Sequence, residues 1–325
     1  MKRSELLTRL IVAVAVIGVI GTPIYLWLRT PIIHARMAEN GGWNPDVIQA
    51  EAGKPLHLKF TSDDVVHGFA VGQMDMAALD IIPGKVSDVT LTFEEPGIYT
   101  YYCTRWCGLN HWRMRGTIEV SGSSSDPQPV SPPLYVFLNL DIDAPHDAPS
   151  FPMSKPSAVN GQLLATDFSI ALSNEDYLTH SPFEVFEGMK NTSLTDQERW
   201  DAVAYLWQSN TTPEALANGK QLYAQNCAAC HGENGSGDGV FADDLAEAGE
   251  ASMQAMTGAH DMVMQAPPDF TDPKRMLGAS PALLQGKLLR GGMGTGMPMW
   301  GVIFTEEQIW DLIAHLYSFQ FEYPK

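Results

Sequence analysis

Hydrophobic positions follow three regimes along the chain. Leu10 to Leu28, LIVAVAVIGVIGTPIYLWL, is an apolar run of 19 residues without a formal charge. At 1.5 Å per residue it predicts a helix spanning about 30 Å of hydrocarbon. From 46 to 121 the pattern alternates: Leu56, Leu58 and Phe60, then Val89, Leu91 and Phe93, each set apart by polar neighbours. Period two predicts strands with one buried face, and Pro83-Gly84 and Pro96-Gly97 supply turns between them. Thr117 to Val120 reads as the last strand. Ser121-Gly122-Ser123-Ser124-Ser125-Asp126-Pro127, followed by Pro129, Pro132 and Pro133, reads as a flexible-to-extended linker, and a second Pro/Asp-rich stretch covers about 141–157. After that the period becomes helical. Pro213 to Asn226 places Leu216, Gly219, Leu222 and Tyr223 on one face.

The helical part repeats itself. Thr195-Asp-Gln-Glu-Arg-Trp-Asp-Ala-Val-Ala-Tyr-Leu206 aligns with Thr305-Glu-Glu-Gln-Ile-Trp-Asp-Leu-Ile-Ala-His-Leu316 at an offset of 110. Each copy opens with a capping box, Thr195 with Glu198 and Thr305 with Gln308. Ser181-Pro182 and Gly188-Met189 echo Ser280-Pro281 and Gly292-Met293. Residues before 210 therefore read as a partial copy of the domain that follows.

Composition narrows the field. At 325 residues and 45% hydrophobic, the chain is long enough for about two packed domains, which excludes wholesale disorder. A single apolar span excludes a polytopic membrane protein. The net charge is −18; residues 1–125 hold 11 basic and 12 acidic side chains, residues 126–325 hold 9 and 26. The excess acidity serves solubility, or steers a basic partner to the C-terminal part. Such a chain repels a phosphate backbone, so nucleic acid is not an expected partner. Lys2, Arg3 and Arg9 keep the N-terminus cytoplasmic and place the rest outside. The run exceeds the 7–15-residue core of a cleaved signal peptide, which favours an uncleaved single-pass anchor in the plasma membrane.

Cys103-Thr-Arg-Trp-Cys107-Gly-Leu-Asn-His111-Trp-Arg-Met114 packs four soft or borderline ligands into twelve residues, after the strand run Ile98–Tyr102. His67, at a strand end, is placed to complete the set. Thiolate and thioether favour reduced copper, and imidazole suits both copper states. A Cys103–Cys107 disulfide is the plainer alternative outside the cytoplasm, and zinc rarely recruits Met. The added His111 and Met114 favour copper. Separately, Cys227-Ala-Ala-Cys230-His231 carries the attachment signal of a c-type haem: two thiols for the vinyl groups and His231 for the iron. A redox dithiol or disulfide is the alternative there.

The segment from about Asp46 to Val120 resembles subunit II of cytochrome c oxidase and its relatives, with Ile82-Pro83-Gly84 between the ligand loops and Pro96-Gly97-x-Tyr99 before Cys103. That resemblance implies an all-β cupredoxin domain, a Greek-key β-sandwich holding a binuclear CuA centre. Cys103 and Cys107 would bridge two coppers, His67 and His111 would bind one each, and Met114 and the backbone carbonyl of Arg105 would be weak ligands. Two departures stand out. Arg105 occupies a position that is usually glutamate, whose side chain serves a magnesium site shared with subunit I; that role is not carried over. One membrane helix replaces the usual two. Gly294-Thr-Gly-Met297-Pro298-Met299 resembles the Met loop of class I cytochromes c, which makes Met297 the sixth iron ligand ahead of Met293 and Met299. Pro267-Pro268-Asp269-Phe270 is similar to the segment lying against the proximal side of the haem.

The expected layout is multidomain. It comprises a cytoplasmic N-terminus (1–9), a transmembrane helix (10–28), a CuA cupredoxin domain (29–120) and a linker (121–157). A haem-less cytochrome-like repeat (158–210) and an all-α cytochrome c domain (211–325) follow. His34, His57, His146, His180, His260 and His315 have no ligand spacing, and Tyr101, Tyr102, Trp106 and Trp112 read as packing around the copper loop. No nucleophile, general base or open metal position is visible, so this chain alone makes and breaks no bond. The resemblance implies the electron-entry subunit of a haem–copper terminal oxidase, an oxidoreductase. Electrons would come from an external cytochrome c or cupredoxin and leave to subunit I among the other membrane subunits. The alternative is the CuA/cytochrome c subunit of a nitric oxide reductase; a copper carrier or assembly protein explains neither the Cys pair nor the haem signal.

Overall fold

The computed structural model describes residues 31–74, 76–105, 107–108, 111–123, 132–168, 170–243, 267–291 and 297–324, with Arg9, Ile11, Val12 and Val16. The expected membrane span thus lies almost wholly outside the described residues. Among the described residues no helix is long and apolar enough to cross a membrane. The chain divides into two compact units, the first made largely of residues up to Asp126 and the second of Pro127 to Lys325.

The first unit is a two-sheet sandwich. Strands β1 (Ile32–Ala35), β2 (Trp43–Asn44), β4 (Leu56–Ser62) and β7 (Ser87–Leu91) form one sheet in the order β2-β1-β4-β7. Strands β3 (Val47–Glu51), β9 (Arg115–Ser121), β8 (Gly97–Tyr102), β5 (His67–Val71) and β6 (Leu79–Ile81) form the other, in that order. The alternating residues set the register: Leu56 faces Leu91 and Leu58 faces Val89 across β4 and β7. Strand β1, which no alternation announces, pairs in parallel with β4. Between the sheets Trp43, Phe60, Phe69 and Tyr101 form one aromatic cluster, with Phe60 and Phe69 at 4.4 Å and Trp43 and Tyr101 at 5.3 Å. Gly116 is required on β9 because a Cβ there would enter the Tyr101 ring.

The second unit is helical. Residues of the expected linker begin it: α1 (Leu134–Phe137) and the chain to Ala148 lie along a later helix, α9 (Pro281–Arg290), and the short α8 (Pro273–Met276). Tyr135 and Ile142 abut Gly286, Asp143 takes a two-pronged grip from Arg290 at 2.6 Å, and Asp147 pairs with Lys274 at 3.0 Å. Residues 134–148 are therefore a strap, not a free spacer. Its few apolar residues find a helix face, a pairing that composition alone does not reveal.

Helices α2 (Ala158–Asp167), α3 (Asn174–Thr179), α4 (Pro182–Gly188) and α5 (Asp196–Ser209) come next, then α6 (Pro213–Asn226), α7 (Ala228–His231), α8, α9 and α10 (Glu306–Ser318). Both capping boxes form, at Thr195 and at Thr305. The two helix crossings obey one rule. In the α2–α5 pair, Gly161 lies on the carbonyl of Asp201; in the α6–α10 pair, Gly219 lies on the carbonyl of Asp311. Asp201 and Asp311 are 110 residues apart, the repeat offset. So are Trp207 and Tyr317, whose rings meet at 5.7 Å. A Cβ at either glycine would strike backbone, which cannot move aside as a side chain tip can. Gly219→Ala and Gly161→Ala are each expected to destabilise the full chain by about 1–3 kcal/mol, read as a lowered denaturant midpoint; an unchanged midpoint would refute the close crossing.

His315, on α10, sits between Tyr223 (5.3 Å) and Phe319 (5.1 Å), with Ser318 Oγ 3.2 Å from its Nδ1. Burial first, and then the charge of Lys220, bring its pKa down to about 4. The fold therefore holds His315 neutral while the unfolded chain takes up a proton below about 6.5. Its contribution is complete above that pH and drains away as pH falls towards about 4, by roughly 3 kcal/mol. Urea unfolding at pH 7 and pH 4.5 should show this loss, and His315→Phe should remove most of that part of the slope.

Candidate metal centres

Strand β5 and the loop between β8 and β9 build the first centre. His67 opens β5, Cys103 follows β8, and Cys107, His111 and Met114 lie on the loop leading into β9. All five are buried, none more than 8% exposed. The two sulfurs are 3.9 Å apart and unbonded. His67 Nδ1 is 3.8 Å from Cys103 Sγ, His111 Nδ1 is 3.4 Å from Cys107 Sγ, and Met114 Sδ is 3.7 Å from Cys107 Sγ. The carbonyl oxygen of Arg105 lies 3.2 Å from Cys103 Sγ. The structure thus brings together all six donors expected from the sequence. The ligand atoms of His67, Cys103 and Cys107 fall within 4.8 Å of one another. One ion at an ordinary metal–sulfur distance of about 2.3 Å can touch both sulfurs. A soft donor set of this kind fits copper.

Local structure holds these donors in place. Trp43 Nε1 donates to the Met114 carbonyl at 3.1 Å, tying the loop to the aromatic core. The Gly68 N–H donates to Cys103 Sγ at 3.4 Å, and a Cβ on Gly68 would collide with Thr104 Oγ1. The hydrogen bond between the two thiols lowers the pKa of Cys103 against the cost of burial, and the same bond together with burial raises that of Cys107.

Asp64 is the residue the motif did not announce. Its Oδ1 accepts from His67 Nε2 at 2.7 Å and from the Val65 N–H, and its Oδ2 accepts from the Met37 N–H at 2.8 Å and from Asn40 Nδ2. Burial opposes its ionisation, yet these donors, the Met37 N–H foremost, bring its carboxyl down to about 2. A proton on His67 Nε2 leaves Nδ1 free to bind metal. The only trace of this in the sequence is an acid three residues before a histidine. Arg105 is also engaged: its Nε and Nη2 donate to the two carboxylate oxygens of Asp80, each at 2.8 Å.

The second centre begins where α6 ends. Cys227 caps α6, and Cys230 and His231 lie on α7, closed by Gly232 at φ +78°. Both thiols are free. Burial raises them, Cys227 to about 12. His231 Nδ1 is 3.3 Å from the carbonyl of Pro268, and its ring stacks on Phe270 at 4.6 Å. The Pro267–Phe270 segment thus fixes one ring nitrogen and leaves Nε2 for an iron. Two unpaired thiols beside such a histidine fit a covalently attached haem. Met297 is half-buried after residues 292–296, which lie outside the described residues together with Met293; its carbonyl is 2.7 Å from where a Cβ on Gly291 would sit.

Residues 44–121 match the family described as cytochrome c oxidase subunit II, periplasmic domain, and residues 216–320 match cytochrome c. Two curated relatives are cytochrome c oxidase subunit 2 proteins of Thermus thermophilus. Each is 42% identical over 79 residues, which is 24% of this chain and 58% and 46% of those proteins. The chain spans about half the length of the curated relatives it matches. A solved periplasmic domain of subunit II of cytochrome oxidase from Bradyrhizobium japonicum is 26% identical, covers 23% of this chain and 53% of that one, and superposes with a TM-score of 0.22. The chain therefore joins a cupredoxin-like domain of the oxidase subunit II type to a cytochrome c domain. It is homologous to subunit II of the Thermus oxidase over 79 residues.

Asp64→Asn should keep the fold but release the His67 ring. Copper affinity of the full chain, measured by competition with a chelator, should fall about 10–100-fold; an unchanged affinity would show that Asp64 does not orient the ligand.

Proposed function

We propose that this chain is the electron-entry subunit of a haem–copper terminal oxidase. The observation that carries the reading is the convergence of His67, Cys103, Cys107, His111, Met114 and the Arg105 carbonyl in one buried cluster, in a chain that also bears Cys227, Cys230 and His231. A binuclear copper centre and one haem c, when bound, supply one-electron carriers. The remaining work belongs to the protein. Cys103 and Cys107 hold charge as thiolates in a sealed site. His67 and His111 would each present a ring nitrogen to the metal, and Met114 with the Arg105 carbonyl would give weak outer ligation. With these six donors engaged the centre would have no position left for substrate, so its role would be to pass electrons.

In the second unit, Cys227 and Cys230 would anchor a haem, His231 would bind its iron and Met297 would be the further iron ligand; Met/His ligation would raise the potential, as suits an acceptor of electrons from a soluble donor. The acidic C-terminal part would draw a basic cytochrome c or cupredoxin. Residues 158–210 are a cytochrome-like repeat without haem. The matching Gly161 and Gly219 contacts support that reading, as does the absence of any Cys-x-x-Cys-His between α2 and α3. Residues 10–28 anchor the chain in the plasma membrane, with the N-terminus cytoplasmic, both metal domains outside, and the catalytic subunit as partner. A nitric oxide reductase subunit is the second reading. It draws on the single expected membrane helix and on Arg105, a cation paired with Asp80 that cannot replace the usual glutamate as a metal ligand.

The complex purified through this chain should carry two coppers of this centre per haem c. Cys107→Ser should lose that copper while the haem c spectrum remains. Fed with reduced cytochrome c, the complex should consume oxygen rapidly. Nitric oxide consumption with negligible oxygen uptake would replace the oxidase by the reductase, and neither activity, with no catalytic subunit co-purifying, would overturn the partner assignment.

A further inference from the structure

Arg105 does two things at once. Its backbone carbonyl faces Cys103 Sγ at 3.2 Å, on the loop. Its guanidinium reaches away from the metal donors and grips both oxygens of Asp80 at 2.8 Å, on β6. Asp80 stands opposite Gly68 across the β5–β6 pair, and the neighbouring register position pairs Ile81 with His67. Gly68 lies under the loop itself: its Cβ position is 3.2 Å from the Arg105 nitrogen and 3.1 Å from Arg105 Cγ. The residue bearing one donor is therefore stapled to the strand pair bearing another.

We propose that the Arg105–Asp80 fork is a positioning device for the copper centre: it fixes the Arg105 carbonyl relative to His67 and so sets the strength of the weak carbonyl ligation. The inference rests on the copper reading above. Planar two-pronged pairing restricts both distance and direction, which a lysine or a single hydrogen bond does not. The pair is solvent-exposed, with the two side chains 57% and 44% accessible. Such exposed pairs add little to global stability. The carbonyl, by contrast, is a weak ligand whose contribution changes with small displacements. A positioning role therefore predicts a large effect on the metal spectrum and a small one on melting. Positively charged Arg105 and negatively charged Asp80 also act on the copper directly, through their charges, and the two influences have opposite signs.

That opposition supplies the test. The full chain is loaded with copper as wild type, Arg105→Gln, Asp80→Asn and the double variant. Absorption and electron paramagnetic resonance spectra, reduction potential, chelator-driven copper loss and melting temperature are recorded for each. Positioning requires both single variants to alter the spectra alike, to shift the potential in the same direction, and to release copper several-fold faster. The double variant should resemble either single, because one fork is broken in all three. Melting should move by only a few degrees. If charge alone acts, Arg105→Gln lowers the potential, Asp80→Asn raises it, and the double variant returns towards wild type with unchanged spectra; that result overturns the proposal. Spectra and potentials unchanged in every variant overturn it as well. Failure of the wild-type chain to bind a copper pair would instead remove the reading of the centre on which the inference stands.

Discussion

Two cysteine sulfurs held 3.9 Å apart, buried and unbonded, are the constraint around which the first unit is arranged. Buried free thiols pack as small apolar groups; what sets this pair apart is that the structure surrounds it with further donors suited to a soft metal. The loop that carries them must turn inward between β8 and β9. The Cys103 N–H and Trp43 Nε1 both donate to the Met114 carbonyl, which closes that loop on itself and on the aromatic core. Phe60, Phe69, Trp43 and Tyr101 thus stabilise the sandwich and also form the wall behind the metal donors.

The second unit depends on a different constraint, the close approach of helix backbones. Glycine at 161 and 219 lets α2 meet α5 and α6 meet α10 at carbonyl contact. In the α6–α10 pair this arrangement presents Cys227, Cys230 and His231 at the end of α6, where Pro268 and Phe270 receive the histidine. In the α2–α5 pair no such motif follows the first helix. Phe186 stacks on Trp200 at 4.3 Å, and Arg199 lies over the Phe186 ring at 4.0 Å. One kind of helix crossing thus occurs twice, beside an aromatic stack in one case and beside the Cys-x-x-Cys-His segment in the other.

The two centres orient their histidines in the same way. Asp64 holds the outer nitrogen of His67, and the Pro268 carbonyl holds that of His231. In each case an acceptor fixes the ring and leaves the inner nitrogen available, as a metal-binding role would require. Beside the first centre, Thr104 Oγ1 and Arg115 Nε and Nη2 are buried with no hydrogen-bond partner among the described residues.

The donor residues themselves were legible in the sequence, because each motif is local: Cys103 to Met114 spans twelve residues and Cys227 to His231 five. The β region was legible from alternation, which is a local period, and the repeat from its capping boxes and Trp-Asp pairs, which match residue by residue at one fixed offset. Strand β1, the strap of residues 134–148, Asp64 on His67 and Asp80 on Arg105 were not, because each depends on contacts between residues far apart or unmarked by period. A parallel pairing such as β1 with β4 leaves no tight turn between its partners to announce it. Nothing near Asp143 in the chain points to Arg290, 147 positions away; their pairing is decided only when the strap and the helix pack. Short-range chemistry was determined by the sequence alone; which group orients each histidine was decided by the tertiary structure, because that choice is made by packing.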